Sequence, residues 1–74
     1  MRAAIVTVSD RSFRGERADV SGPVLKTLLE AAGAVVVETV VVPDERTQII
    51  ETLCRLADET ACELILTTGG TGLS

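Results

Sequence analysis

Apolar residues fall into five blocks along the chain, and their spacing alternates between two kinds. Ala3–Val8 is nearly continuous in apolar residues, as expected for a strand covered on both faces. Ser9-Asp10 ends it, and the polar stretch from Arg11 to Val20 follows. A βα connection usually takes roughly 2–6 residues, so this one is long, and long loops there are often functional. Ser21-Gly22-Pro23 then opens a helix: Ser21 can cap free N–H groups, and Pro23 suits the first turn. Leu25, Leu28, Leu29 and Ala32 recur at helical spacing as one apolar face, and Gly33 is the expected left-handed stop.

Val35–Val42 is a β-branched run and reads as the second strand, closed by Pro43. Asp44 is the expected cap of the next helix, with Thr47 at its third position in place of the Glu or Gln of a full capping box. Ile49, Ile50, Leu53, Leu56 and Ala57 are its expected buried face, and Asp58-Glu59-Thr60 its end. Leu64–Thr68 is the third strand, and it runs into Thr-Thr-Gly-Gly-Thr-Gly-Leu-Ser, residues 67–74. The order β-α-β-α-β predicts an α/β fold in three layers, with a mostly parallel sheet and right-handed crossovers. The first strand is expected between the second and third. The connection then reverses direction between strands one and three, which is where open α/β sheets bind ligands. Ser9-Asp10, Asp44 and Thr68-Gly69-Gly70-Thr71 would meet there.

Composition narrows the choices. The chain has 74 residues, 46% hydrophobic and 24% charged, with one Phe and no Trp or Tyr, so the core must be aliphatic. The net charge of −4 argues against nonspecific nucleic-acid binding, which needs a basic footprint. It does not bar small anions held by backbone N–H groups or through a metal. Cys54 and Cys62 match no zinc or redox spacing and read as reduced, mostly buried thiols. No window approaches the ~20 apolar residues of a membrane span, and no signal peptide opens the chain, so the expected location is cytoplasmic. The absence of His removes Ser–His and Cys–His nucleophilic sites from these residues.

Three glycines within Gly69-Gly70-Thr71-Gly72 allow a sharp turn whose successive N–H groups can form an anion nest. The pattern is neither the dinucleotide fingerprint nor a Walker A loop. On physics alone, phosphate binding and a plain tight turn stand almost level. Asp10 and Asp44, at strand ends, suit Mg²⁺, which takes one or two carboxylates together with substrate phosphates. Their bland readings, a turn residue and a helix cap, are at least as good. The arginines at 11, 14 and 17 could clamp phosphate, but neighbouring acids nearly cancel them, and a solvated loop is the better reading.

Taken together, TVSDRSFRGERADVSGP (7–23), VVPDE (41–45) and LTTGGTG (66–72) resemble the molybdenum-cofactor biosynthesis family of molybdopterin adenylyltransferases, the Mog/MoaB type. Each segment is weak alone; their order and spacing carry the resemblance. It implies a Mog/MoaB-like α/β domain, commonly a homotrimer, that joins the AMP part of Mg-ATP to the terminal phosphate of molybdopterin. By this resemblance Gly69, Gly70, Thr71 and Gly72 correspond to the phosphate-cradling loop. Asp44 corresponds to the catalytic and metal-positioning acid, and Ser9 and Asp10 to the substrate-binding Ser-Asp pair. Mg²⁺, ATP and molybdopterin are the implied cofactor and partners, with no nucleic acid or membrane. In the family the loop continues into an Arg-Asp-x-Thr-Pro-Glu-like segment with a second acid. Residues 1–74 are therefore expected to form the N-terminal part of one domain, a fragment inactive by itself. The alternative is a noncatalytic nucleotide- or pterin-binding or assembly module.

Overall fold

The structure, a computed structural model, describes residues 1–15 and 21–69. The elements in chain order are β1 (Arg2–Val8), α1 (Asp10–Phe13), α2 (Ser21–Ala31), β2 (Val35–Val42), α3 (Arg46–Glu59) and β3 (Leu64–Thr68). The strands form one sheet in the order β2-β1-β3, and both pairings are parallel. The expected α/β order and central first strand are therefore present. The connections run across the sheet in opposite directions, β1 to β2 and then β2 back past β1 to β3, so two right-handed crossovers place α2 and α3 on opposite faces. That arrangement is three layers.

Central position explains the apolar run of β1: Ala3, Ala4, Ile5 and Val6 are all fully buried. Side chains alternate between faces of a strand. Ala4, Val6 and Val8 therefore share one face, where they pack with Val42 and with Leu56 of α3. Val40, Ile49, Leu53, Cys62 and Ile65 close around that cluster. Ala3, Ile5 and Thr7 take the other face, beneath α2. The β1–β2 register slips between Ala3 and Ala4, which leaves Val37 as the extra residue of a bulge.

The second helix ends as Gly33 predicts. Gly33 has φ +93°, its N–H donates to the Glu30 carbonyl (3.0 Å), and the Ala34 N–H donates to the Leu29 carbonyl (3.0 Å). This is a Schellman closure, with Ala34 buried beyond it.

Four expectations need correction. The polar stretch after β1 begins with a helical turn, α1, rather than loop; residues 16–20 of that stretch lie outside the described residues. On α2, Leu25 and Leu29 are half-buried but Leu28 is 60% exposed and Ala32 is exposed. On α3, Leu56 is buried while Ile50 and Ala57 are exposed. In both helices one edge of the apolar stripe reaches the sheet and the other edge is exposed. Both cysteines are free thiols, but Cys54 is exposed rather than buried. Among the described residues, no helix is long and apolar enough to cross a membrane.

Candidate functional site

Parallel pairing puts the carboxyl ends of all three strands on one rim. Val8 lies opposite Val42 and Thr7 opposite Thr68, so the segments that leave β1, β2 and β3 emerge side by side. The Ser9 N–H donates to the Val42 carbonyl (2.9 Å) and extends the β1–β2 ladder by one bond. The chain then turns into α1, where the Phe13 N–H donates to the Ser9 carbonyl (3.0 Å) and the Arg14 N–H to the Asp10 carbonyl (3.0 Å).

Asp10 and Asp44, 34 residues apart, meet at this rim. The Asp44 N–H donates to Asp10 Oδ1 at 2.9 Å. Asp44 sits at the centre of a three-residue turn, with the Glu45 N–H on the Pro43 carbonyl (2.8 Å). Its carboxylate is exposed and accepts no hydrogen bond from any described residue.

The expected capping role of Asp44 belongs instead to Glu45. The Glu45 carboxylate accepts from the Thr47 N–H (3.1 Å) and the Gln48 N–H (2.9 Å). These bonds, that from Gln48 first, hold its pKa below the ordinary value. Capping preferences rank Asp above Glu, so local sequence rules pointed to the wrong neighbour. The exchange matters for function: with α3 already capped, the Asp44 carboxylate is left available.

The third strand reaches the same rim through Gly69, which has φ +79°. A Cβ on Gly69 would stand 2.7 Å from the Val8 carbonyl oxygen, too close for any real side chain. Only glycine lets the exit of β3 lie against the exit of β1 while adopting this backbone. Gly70, Thr71 and Gly72, the rest of the expected phosphate loop, lie outside the described residues. So does Arg17, while Arg11 is exposed on α1.

The described rim brings the Asp10 and Asp44 carboxylates together. Two adjacent carboxylates repel a polyphosphate unless a divalent cation stands between them, and hard oxygen donors suit Mg²⁺. Among the described residues, no group of three or more potential ligands could hold a metal by itself. The donor set therefore fits an ion that arrives on phosphates and gains one or two protein oxygens. Neither cysteine shares this rim: Cys62 lies at the opposite one, its Sγ 2.7 Å from Thr60 Oγ1.

Comparison with known proteins bears on the family and the fold. Residues 4–74 match a family model described as "Probable molybdopterin binding domain". A molybdopterin adenylyltransferase of Escherichia coli (strain K12) is 43% identical over 74 residues, covering 97% of this chain and 38% of that protein. The crystal structure of the molybdopterin biosynthesis enzyme MoaB from Thermus thermophilus superposes with a TM-score of 0.90 at 42% identity, over 99% of this chain and 46% of that one. The tungsten cofactor synthesizing protein MoaB from Pyrococcus furiosus gives 0.87 at 33% identity, over 99% and 44%. The chain thus spans less than half the length of the relatives it matches.

Proposed function

Because the chain belongs to the family described as probable molybdopterin binding domain, we propose that it serves molybdenum cofactor biosynthesis as part of a molybdopterin adenylyltransferase. The substrates are Mg-ATP and molybdopterin. An oxygen of the terminal molybdopterin phosphate attacks the α-phosphorus of ATP. The bond from that phosphorus to the oxygen bridging the β-phosphate breaks, and pyrophosphate leaves with its electron pair. Such a transfer needs little covalent help from the protein; it depends on alignment and on neutralising charge.

The observation that carries this reading is the meeting of Ser9, Asp10, Asp44 and Gly69 at one rim through the Ser9–Val42, Asp10–Asp44 and Gly69–Val8 contacts. In the proposed roles, Asp44 supplies an oxygen to the Mg²⁺ that accompanies ATP and is the catalytic acid group of the site. The amides of Gly69, Gly70, Thr71 and Gly72 receive phosphate oxygens. Ser9 and Asp10 form the wall beside them. The reading carries with it a homotrimer in the cytoplasm.

The test is mass-spectrometric detection of adenylylated molybdopterin after incubating the full-length protein with Mg-ATP and molybdopterin. A divalent ion's hold on transferring phosphate is worth several kcal/mol, so Asp44→Ala should lower the rate by roughly 100-fold or more. Wild-type turnover in that variant would remove Asp44 from the site. Calorimetric binding of ATP or the pterin without any AMP transfer would favour the noncatalytic module.

A further inference from the structure

We propose that Asp10 is a positioning residue: its carboxylate acts on the Asp44 backbone and leaves the Asp44 side chain to meet the substrate. This deepens the adenylyltransferase reading and rests on it for what Asp44 does.

The reason lies in how the parallel ladder ends. In a parallel pair, a residue donates to one position on its neighbour and accepts from the position two residues further on. Ser9 completes the first half by donating to the Val42 carbonyl (2.9 Å). The second half would bring the Asp44 N–H to the Ser9 carbonyl. That carbonyl already accepts from the Phe13 N–H (3.0 Å), because the chain has turned into α1. Pro43, between them, has no N–H to offer. The Asp44 N–H is therefore left over at the end of the ladder, and Asp10 Oδ1 receives it at 2.9 Å. One side-chain oxygen replaces the missing backbone acceptor.

Asp44 is consequently held from both sides while its own carboxylate stays unbonded among the described residues. Before it, the N–H is tied to Asp10. Behind it, the Glu45 N–H closes the turn onto the Pro43 carbonyl, and the Glu45 carboxylate is anchored on the first turn of α3. Such a backbone sets the direction in which the Asp44 carboxylate points without using any of its acceptor capacity. What Asp10 contributes is an acceptor oxygen in the right place, and its negative charge is incidental.

The distinction is open to experiment, because Asn keeps the oxygen and loses the charge. In the full-length protein, Asp10→Asn should retain several-fold more kcat for AMP transfer than Asp10→Ala. Asp10→Ala should lower kcat by roughly 10- to 100-fold, the scale of a misplacement of about 1 Å, with KM for ATP nearly unchanged. The Asp44 amide should exchange its hydrogen slowly in the wild type and in Asp10→Asn, and quickly in Asp10→Ala, while the β1 amides stay protected in all three. Equal loss of kcat in the Asn and Ala variants would overturn the proposal, since charge would then be what matters. Full activity in Asp10→Ala would overturn it too. If the wild-type protein transfers no AMP, the adenylyltransferase reading fails, and the amide measurement still decides: fast Asp44 exchange in the wild type overturns the positioning bond.

Discussion

The two rims of the sheet are built from similar residues and end in opposite conditions. At the rim where strands begin, charged and polar groups are turned onto the scaffold. The Arg2 guanidinium donates twice to the Thr60 carbonyl (3.3 and 3.0 Å), and the Arg2 N–H meets Glu63 Oε1 (3.2 Å). The Glu63 N–H returns to the Arg2 carbonyl (2.9 Å), and the Val35 N–H reaches the Met1 carbonyl (2.8 Å). Thr60 caps α3 by donating from both its N–H and its hydroxyl to the Leu56 carbonyl. At the rim where strands end, Asp10 and Glu45 are likewise engaged, but Asp44 beside them is not. A count of polar groups would not separate a site from a scaffold here. What separates them is whether the fold already satisfies the group.

Glycine tests this contrast with the largest expected effect. Gly69 and Gly33 both have positive φ, yet they differ in their surroundings. A Cβ at Gly33 meets nothing within 4 Å, whereas one at Gly69 meets the Val8 carbonyl oxygen at 2.7 Å. Gly33→Ala should bear only the backbone strain, about 1 kcal/mol, and leave AMP transfer intact. Gly69→Ala adds a collision with backbone that cannot rotate away. It should cost about 2–3 kcal/mol of stability and at least tenfold in activity, because the loop that follows is displaced. Denaturant melts and turnover on both variants check this; equal behaviour of the two would erase the difference between the rims.

A smaller effect is expected at the opposite rim. Arg2→Ala removes two charge-assisted hydrogen bonds at an exposed position, so a loss of roughly 0.5–1 kcal/mol is expected. Turnover should stay within about twofold of wild type. A large loss of activity in a variant that melts normally would mean that the rims are coupled and that their division into scaffold and site is wrong.

Strands and topology were legible because their signals are local or follow from chain order. The β-branched run of β2 stops at Pro43, β3 stops at Gly69, and β1 is apolar on both faces because it is central. Helix faces were legible only as stripes. Periodicity grouped Leu28 with Leu25 and Leu29, and Ile50 with Ile49, but it could not say how much of each stripe the sheet would cover. The rim itself followed from topology, as did the meeting of its three segments. Its inner wiring did not. The Asp10–Asp44 bond joins residues 34 apart and arises because α1 takes the Ser9 carbonyl, a turn that the sequence presented as loop. The Gly69–Val8 approach is likewise a contact across strands, invisible to a motif that explains glycine by ligand access alone.

The smallest expected effect concerns the carboxylates that the scaffold itself holds, and pH reads it. Glu45 is held below its ordinary value of 4.5 by the Gln48 and Thr47 N–H groups. Glu38 is held below the same value, first by hydrogen bonds from Arg55 (2.5 and 3.2 Å), against some burial and with help from the opposite charge. A depressed carboxylate releases its proton more readily in the folded chain than in the unfolded one. Its stabilisation is therefore present above pH 4.5 and lost as pH falls from there through the folded value. Wild-type Tm should decline across that window. Glu38→Gln and Glu45→Gln, which have no proton to gain, should each flatten the decline slightly. An unchanged decline in both variants would show that the fold does not hold these two carboxylates as their hydrogen bonds indicate.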